Sequence, residues 1–235
     1  MVTVSLELTG PEASRPYIEA ARPEHPSLLD AHHQMDALFG VVNIPNVVWV
    51  DEAGVIVRPA EPGWPGPQAL PEGLMTDRPR MAKPRNVREG KRDGRAVIMS
   101  GQDRQRYPEA IRDWVANGAA SRYALTPEAV VARSQPRSME QSEGAAHFEL
   151  AEHLWRAGDR ASAVSHFDEA HRLQPGNWTY KRQAWSLVGN ERVGGEYGRF
   201  VQGPLEGEED EWPFASDFGS DLAVLGEGEY YPATL

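Results

Sequence analysis

The sequence predicts an α/β fold followed by an all-helical unit, and three observations carry that prediction. Strand-like and helix-like stretches alternate through residues 1–57. Val47 to Val50 is a continuous apolar run between a proline and an Asp-Glu-Ala-Gly turn. Residues 144–176 form two helical stretches around Gly158-Asp159, with small Ala151, Ala163 and Ala170 placed to let the helices approach closely. The chain has 235 residues, 40% of them hydrophobic and 25% charged. That is enough to bury a core in one large domain or two small ones.

Each element follows from its pattern. Val2, Val4, Leu6 and Leu8 alternate with polar residues, the period of a strand over residues 2–8. Gly10 and Pro11 end it, and a helix is expected from Pro11 to Arg22, with Tyr17, Ile18 and Ala21 on one face. Pro16 is expected to shift that start. Leu28 to Asp30 reads as a short extended piece, and residues 31–39 as a helix stopped by Gly40. Val47 to Val50 has the apolarity of a strand buried on both faces, with Val55 to Val57 as its hairpin partner.

Residues 58–102 form a Pro-rich, basic insertion that includes Arg78, Lys83, Arg88 and Arg95, with Ala96 to Met99 as a short strand. The patch lacks the interleaved aromatics of a single-strand binder, which argues for a solvated loop over a nucleic-acid site. Tyr107 to Tyr123 reads as an amphipathic helix with Ile111, Trp114 and Val115 in its stripe, and Pro127 to Arg133 as a second. A linker over residues 134–142 divides the chain into a domain at 1–133, a helical unit at 144–190 and an acidic tail at 204–235.

Net charge is −11 and uneven. Residues 204–235 hold nine of the 35 acidic residues and no Lys or Arg, leaving 26 acids against 24 bases elsewhere. Such a tail reads as a solvated appendage, although its aromatics (Trp212, Phe214, Phe218, Tyr230, Tyr231) imply that parts of it dock. There is no cysteine, so the 235 residues offer no thiolate nucleophile, disulfide or Cys-ligated metal. No apolar run reaches membrane-spanning length and no signal pattern opens the chain, so the expected location is cytoplasmic if Met1 is the true start.

From Val2 to Val57 the order is strand, helix, extended piece, helix, Ile44-Pro45, apolar strand, turn and partner strand. This resembles the second half of a thioredoxin-like domain of the TlpA/ResA redoxin type. The resemblance implies a cis Pro45, with Ile44, Pro45 and Asn46 forming a loop that binds a substrate polypeptide. It also exposes a departure. The family's Cys-x-x-Cys motif lies on a strand and helix that would precede Val2, and that strand would be central in the sheet. The expectation is therefore a redoxin of the thiol-disulfide oxidoreductase or peroxidase class whose Cys or selenocysteine lies upstream of Met1, inactive as the chain stands. Its implied partner is a protein thiol or disulfide substrate, or an electron donor. A sheet closed differently, or a strand supplied by a partner such as a second copy in a homodimer, would equally fill the gap. The competing expectation is a non-catalytic interaction module.

Residues 144–176 resemble one tetratricopeptide repeat. With Pro175 at the repeat's terminal proline, Leu150, Ala151, Leu154, Ala163, Phe167 and Ala170 fall at its packing positions. His147 departs from the usual Trp. A single repeat cannot bury its own face, so Trp178 to Leu187 is expected to cap it and the unit to pack on the α/β body. No Walker, nucleophile-elbow, dinucleotide or zincin motif occurs, and no cofactor or metal is expected. His32 and His33 flank Asp30 and Asp36, but adjacent helical side chains diverge by about 100°. Exposed surface histidines are expected there.

Overall fold

The computed structural model describes residues 1–63, 82, 106–195, 198–226 and 228–235. The basic patch and the strand expected at residues 96–99 lie outside the described residues. The described chain is mixed: two small sheets and a larger helical body.

Strand β1 (Thr3–Leu6) leads through α1 (Pro11–Ala21) to β2 (Ser27–Asp30), which pairs with it in parallel, Thr3 against Ser27 and Leu6 against Asp30. Pro11 opens α1 because the first helical N–H needs no partner. Pro16 does not shift that start; it sits inside the helix. Tyr17 and Ile18 are half-buried, whereas Ala21 is exposed.

Helix α2 (Gln34–Phe39) is shorter than expected, and its start is fixed from outside. The Asp30 carboxylate at the end of β2 accepts from the amides of His32, Gln34 and Met35, at 3.2, 2.9 and 2.8 Å. It thereby serves amides that a helix N-terminus leaves unpaired. Gly40, at φ 72°, closes the helix.

Strand β3 (Asn46–Val50) pairs antiparallel with β4 (Ile56–Pro62), Trp49 opposite Arg58. Between them Asp51 Oδ1 accepts from the amides of Ala53 and Val55, and Gly54 takes φ 79°. Two expectations fail here. Strand β3 is not covered on both faces: only Trp49 is fully buried, packed on Tyr107 and Ala110, and Val50 is exposed. The insertion expected from Arg58 begins later, because β4 runs to Pro62; Pro59 and Pro62 suit an edge strand that need not donate throughout.

Helix α3 (Arg106–Asn117) lays Tyr107 and Ala110 against Trp49 and Tyr123, with Ile111 and Trp114 at the margin. Val115, expected in that stripe, is 75% exposed, since Tyr107 and Ala110 define a face turned away from it. Helix α4 (Pro127–Arg133) is capped by Thr126. The expected linker ends early: Ser138 and Gln141 make a capping box that starts α5 (Met139–Ala157) inside it.

Helices α5, α6 (Arg160–Leu173) and α7 (Trp178–Val193) form the main core. Ala151, Ala163 and Ala170 are fully enclosed, and Phe148, Phe167 and Trp185 fill the space between the helices. Leu150 is a correction: it is 42% exposed, and Phe148, two residues earlier, takes the interior. Pro175 lies exposed in the turn before α7, and Leu154 packs at the core margin. Helix α7 covers the hairpin as expected, burying Trp178, Tyr180, Ala184, Trp185 and Val188 against it, and runs on to Val193. At Gly189 an added Cβ would meet the Val201 carbonyl oxygen at 2.0 Å, so the chain after α7 crosses there only over glycine. That later stretch, including α8 (Phe218–Ala223), is not a solvated appendage: Phe214, Leu222, Tyr230 and Tyr231 belong to the core of α5 to α7.

Candidate functional site

The Ile44–Pro45 peptide is cis, as the resemblance implied, and Ile44, Pro45 and Asn46 lie together at the start of β3. The loop's main-chain groups are engaged within the chain. Asn43 Oδ1 accepts from the Ile44 amide at 2.9 Å. The Thr179 amide donates to the Val42 carbonyl at 3.1 Å, and the Gly63 amide to that of Pro45 at 3.4 Å. The Tyr231 hydroxyl donates to the Ile44 carbonyl at 2.6 Å, while Asn43 Nδ2 donates to the Tyr230 carbonyl at 2.9 Å. Asn46 Oδ1 is buried and accepts no hydrogen bond among the described residues.

Beside the loop stands a polar network with no exposed member. Arg58 grips Glu61 through two bonds of 2.7 and 2.8 Å, and also donates to the carbonyls of Tyr123 and Thr234. Tyr107 donates to Glu61 at 3.0 Å and accepts from the Trp49 indole at 2.9 Å. Burial, with the Glu61 charge second, pushes the Tyr107 phenol well above its ordinary range. The network joins β3, β4, α3 and residue 234. Its carboxylate is fully committed, so it reads as a fastening and not as an acid-base site.

A second polar cluster lies where α2 meets α5 and α7. Tyr180 and Arg137 both bond Asp36, whose carboxyl is raised chiefly by burial. His33 is a correction. It is 4% exposed, because the left-handed turn at its own backbone tips the ring edge-on against Phe148 and Tyr180. Neither ring nitrogen has a hydrogen bond, and Nδ1 stands 3.6 Å from Glu152 Oε1. Burial holds the His33 imidazole down at about 4 and lifts the Glu152 carboxyl to about 7, with Arg156 opposing that lift. His171 is buried against Trp185 and Phe214 and held at about 3, by burial first and then by Lys181.

The tetratricopeptide-like positions make no site: Ala151, Ala163, Phe167 and Ala170 are enclosed. On the outside of the hairpin, His147 and His166 bring their Nδ1 atoms within 2.7 Å. Among the described residues no three His, Asp or Glu converge as a metal site, and no helix is long and apolar enough to cross a membrane. Sequence reasoning missed Asn43, Arg58, Tyr231 and Thr234. Their partners lie up to 187 positions away, so no local pattern marks them.

No family model matches the chain, and neither characterised proteins nor solved structures yield a significant match.

Proposed function

We propose that this chain is the substrate-binding side of a thioredoxin-like redoxin, and that a strand bearing the reactive Cys or selenocysteine completes it. One observation carries the reading: a parallel pair (β1–β2) and an antiparallel pair (β3–β4) remain separate sheets, each with a strand edge unpaired among the described residues. One further strand between β1 and β3 would join them into a mixed sheet, with Ile44, Pro45 and Asn46 beside its end. The 235 residues contain no cysteine, so thiol-disulfide exchange or peroxide reduction needs a nucleophile from elsewhere.

The test is to express the reading frame together with any in-frame codons preceding that of Met1. Disulfide and peroxide reduction are then assayed beside the 235-residue chain. Activity confined to the extended protein, and lost when its added Cys or selenocysteine becomes Ser, supports the proposal. A frame without such a residue, or an extended protein no more active than the 235 residues, overturns it. The alternative, a non-catalytic interaction module, is favoured by the engagement of the Ile44 carbonyl by Tyr231. It expects both proteins to be inert.

A further inference from the structure

Residues 230–235 join the aromatic core through Tyr230 and Tyr231, as Phe214 and Leu222 do, and add hydrogen bonds to the strand region. These residues form no helix or strand. They lie along one face built from the Asn43–Ile44 turn, β4 and the start of α3. Five hydrogen bonds hold them there. Asn43 Nδ2 donates to the Tyr230 carbonyl (2.9 Å), Arg58 Nη2 to that of Thr234 (2.8 Å) and Arg106 Nη1 to a carboxylate oxygen of Leu235 (2.9 Å). In return the Tyr231 hydroxyl donates to the Ile44 carbonyl (2.6 Å) and the Thr234 hydroxyl to that of Pro62 (3.3 Å).

Two of these bonds, to Tyr230 and Thr234, read main-chain carbonyls that any extended polypeptide would offer, and the third reads a carboxylate oxygen of Leu235. Side-chain selection falls to one aromatic seat, which Trp178 and Phe218 form for Tyr230, while Tyr231 packs within the strap. The Tyr230 ring meets Trp178 edge-on at 4.7 Å, and the Tyr231 ring stands against Tyr230 at 4.5 Å. Two residues before Tyr230, Gly228 takes φ 78°, a backbone conformation that glycine adopts without steric cost.

We infer that Asn43, Ile44, Arg58, Pro62 and Arg106 form a cradle for an extended, aromatic-bearing polypeptide, and that residues 230–235 are its resident occupant. While seated, the strap keeps the Ile44 carbonyl from any other chain. This rests on reading the Ile44–Pro45 loop as the polypeptide-binding side of the site, and it names a regulation of that site: access requires the strap to leave.

The test uses the full chain and a labelled hexapeptide, Tyr-Tyr-Pro-Ala-Thr-Leu, followed by fluorescence anisotropy. A strap weakened by Tyr231→Phe should yield its seat, because the free peptide keeps the hydroxyl that the strap has lost. The expected gain in affinity over the unmodified chain is about fivefold, the ratio that corresponds to one hydrogen bond. Asn43→Ala damages the cradle for strap and peptide alike and should give no gain. Failure of the Tyr231→Phe chain to bind at millimolar peptide while melting as a folded protein overturns the inference, as does an equal gain from Asn43→Ala.

Hydrogen exchange of the unmodified chain gives a second reading. Residues 229–235 should exchange faster than α7 through an opening insensitive to denaturant. Exchange only on global unfolding would make the strap a core element and overturn the inference. Peptide binding beside an inert extended protein sinks the redoxin reading alone; redox activity without peptide binding sinks the strap alone.

Discussion

The helical body and the strand region hold themselves together in different ways. In α5 to α7 an aromatic core is closed on all sides: Phe148 stacks on Tyr180 with centroids 4.0 Å apart, and alanines bring the helices close around Phe167. In the strand region Trp49 is the one strand residue in the buried core of Tyr107, Ala110 and Tyr123, while Val2, Leu28, Val50 and Val55 remain exposed. There a buried polar network through Arg58 and Glu61 stands beside that small core. Helices satisfy their own backbone and need a partner only for one face. Strands need a neighbour on each edge, so a region with two strand pairs keeps apolar side chains and ladder groups in reserve.

The sharpest break of that comparison is Phe167→Ala. The side chain is fully buried among packed helices, and its removal is expected to cost ~3–5 kcal/mol. Urea melts followed by far-ultraviolet circular dichroism measure it. A cost below ~1 kcal/mol would mean that the helical core is not what holds the fold.

In the strand region the matching test is electrostatic. Glu61→Ala leaves the Arg58 guanidinium enclosed and removes the acceptor of Tyr107, at an expected cost of about 3 kcal/mol. Replacing Arg58 and Glu61 together with apolar residues of similar volume should recover much of that loss. If the double replacement is as damaging as the single one, the pair contributes attraction beyond mutual neutralisation.

What the sequence revealed divides along the same line. Hairpin α5–α6 was legible because small alanines, Gly158 and Asp159 are local signals, and so was the turn at Asp51 to Gly54. Leu150 misled because the repeat template ranks it above Phe148, whereas the ring of Tyr180, thirty-two positions on, selects Phe148 as its stacking partner. The Arg58 network, the burial of His33 and the docking of Tyr230 and Tyr231 rest on pairings between distant positions. Composition assigned the acidic stretch to solvent, yet its aromatics outweigh its charge, and Lys181 and Arg192 meet three of its carboxylates.

The buried histidines, His171 within the helical body and His33 where α2 packs on it, make the fold pH-dependent. Both fold with pKa values below 6.5, at about 4 for His33 and about 3 for His171, so the unfolded chain binds more protons below pH 6.5. Stability is therefore lost as pH falls through that window. Glu152 runs the other way. Its folded value of about 7 lies above the ordinary 4.5, so its ionisation weakens the fold as pH rises between the two. Two histidines against one carboxyl leave a net slope of at most ~1.4 kcal/mol per pH unit between pH 4.5 and 6.5. Urea midpoints across that range should show Glu152→Gln steepening the slope and His171→Phe flattening it. A flat profile in the unmodified chain would contradict the burial of both rings.

The smallest effect on stability concerns the reserve of exposed apolar strand residues. Val50 ends β3 at 43% exposure beside an edge unpaired among the described residues. Val50→Lys removes little buried surface and is expected to change stability by ~0.5 kcal/mol or less. Its effect on association should be larger, because a charge on an edge strand opposes pairing with a second chain. Sedimentation equilibrium at rising concentration is expected to reveal self-association in the unmodified chain and less of it in Val50→Lys. A monomer at every concentration would mean that the strand edges are shielded without a second copy. The difference between the two regions would then lie in how each is covered and not in whether it is complete.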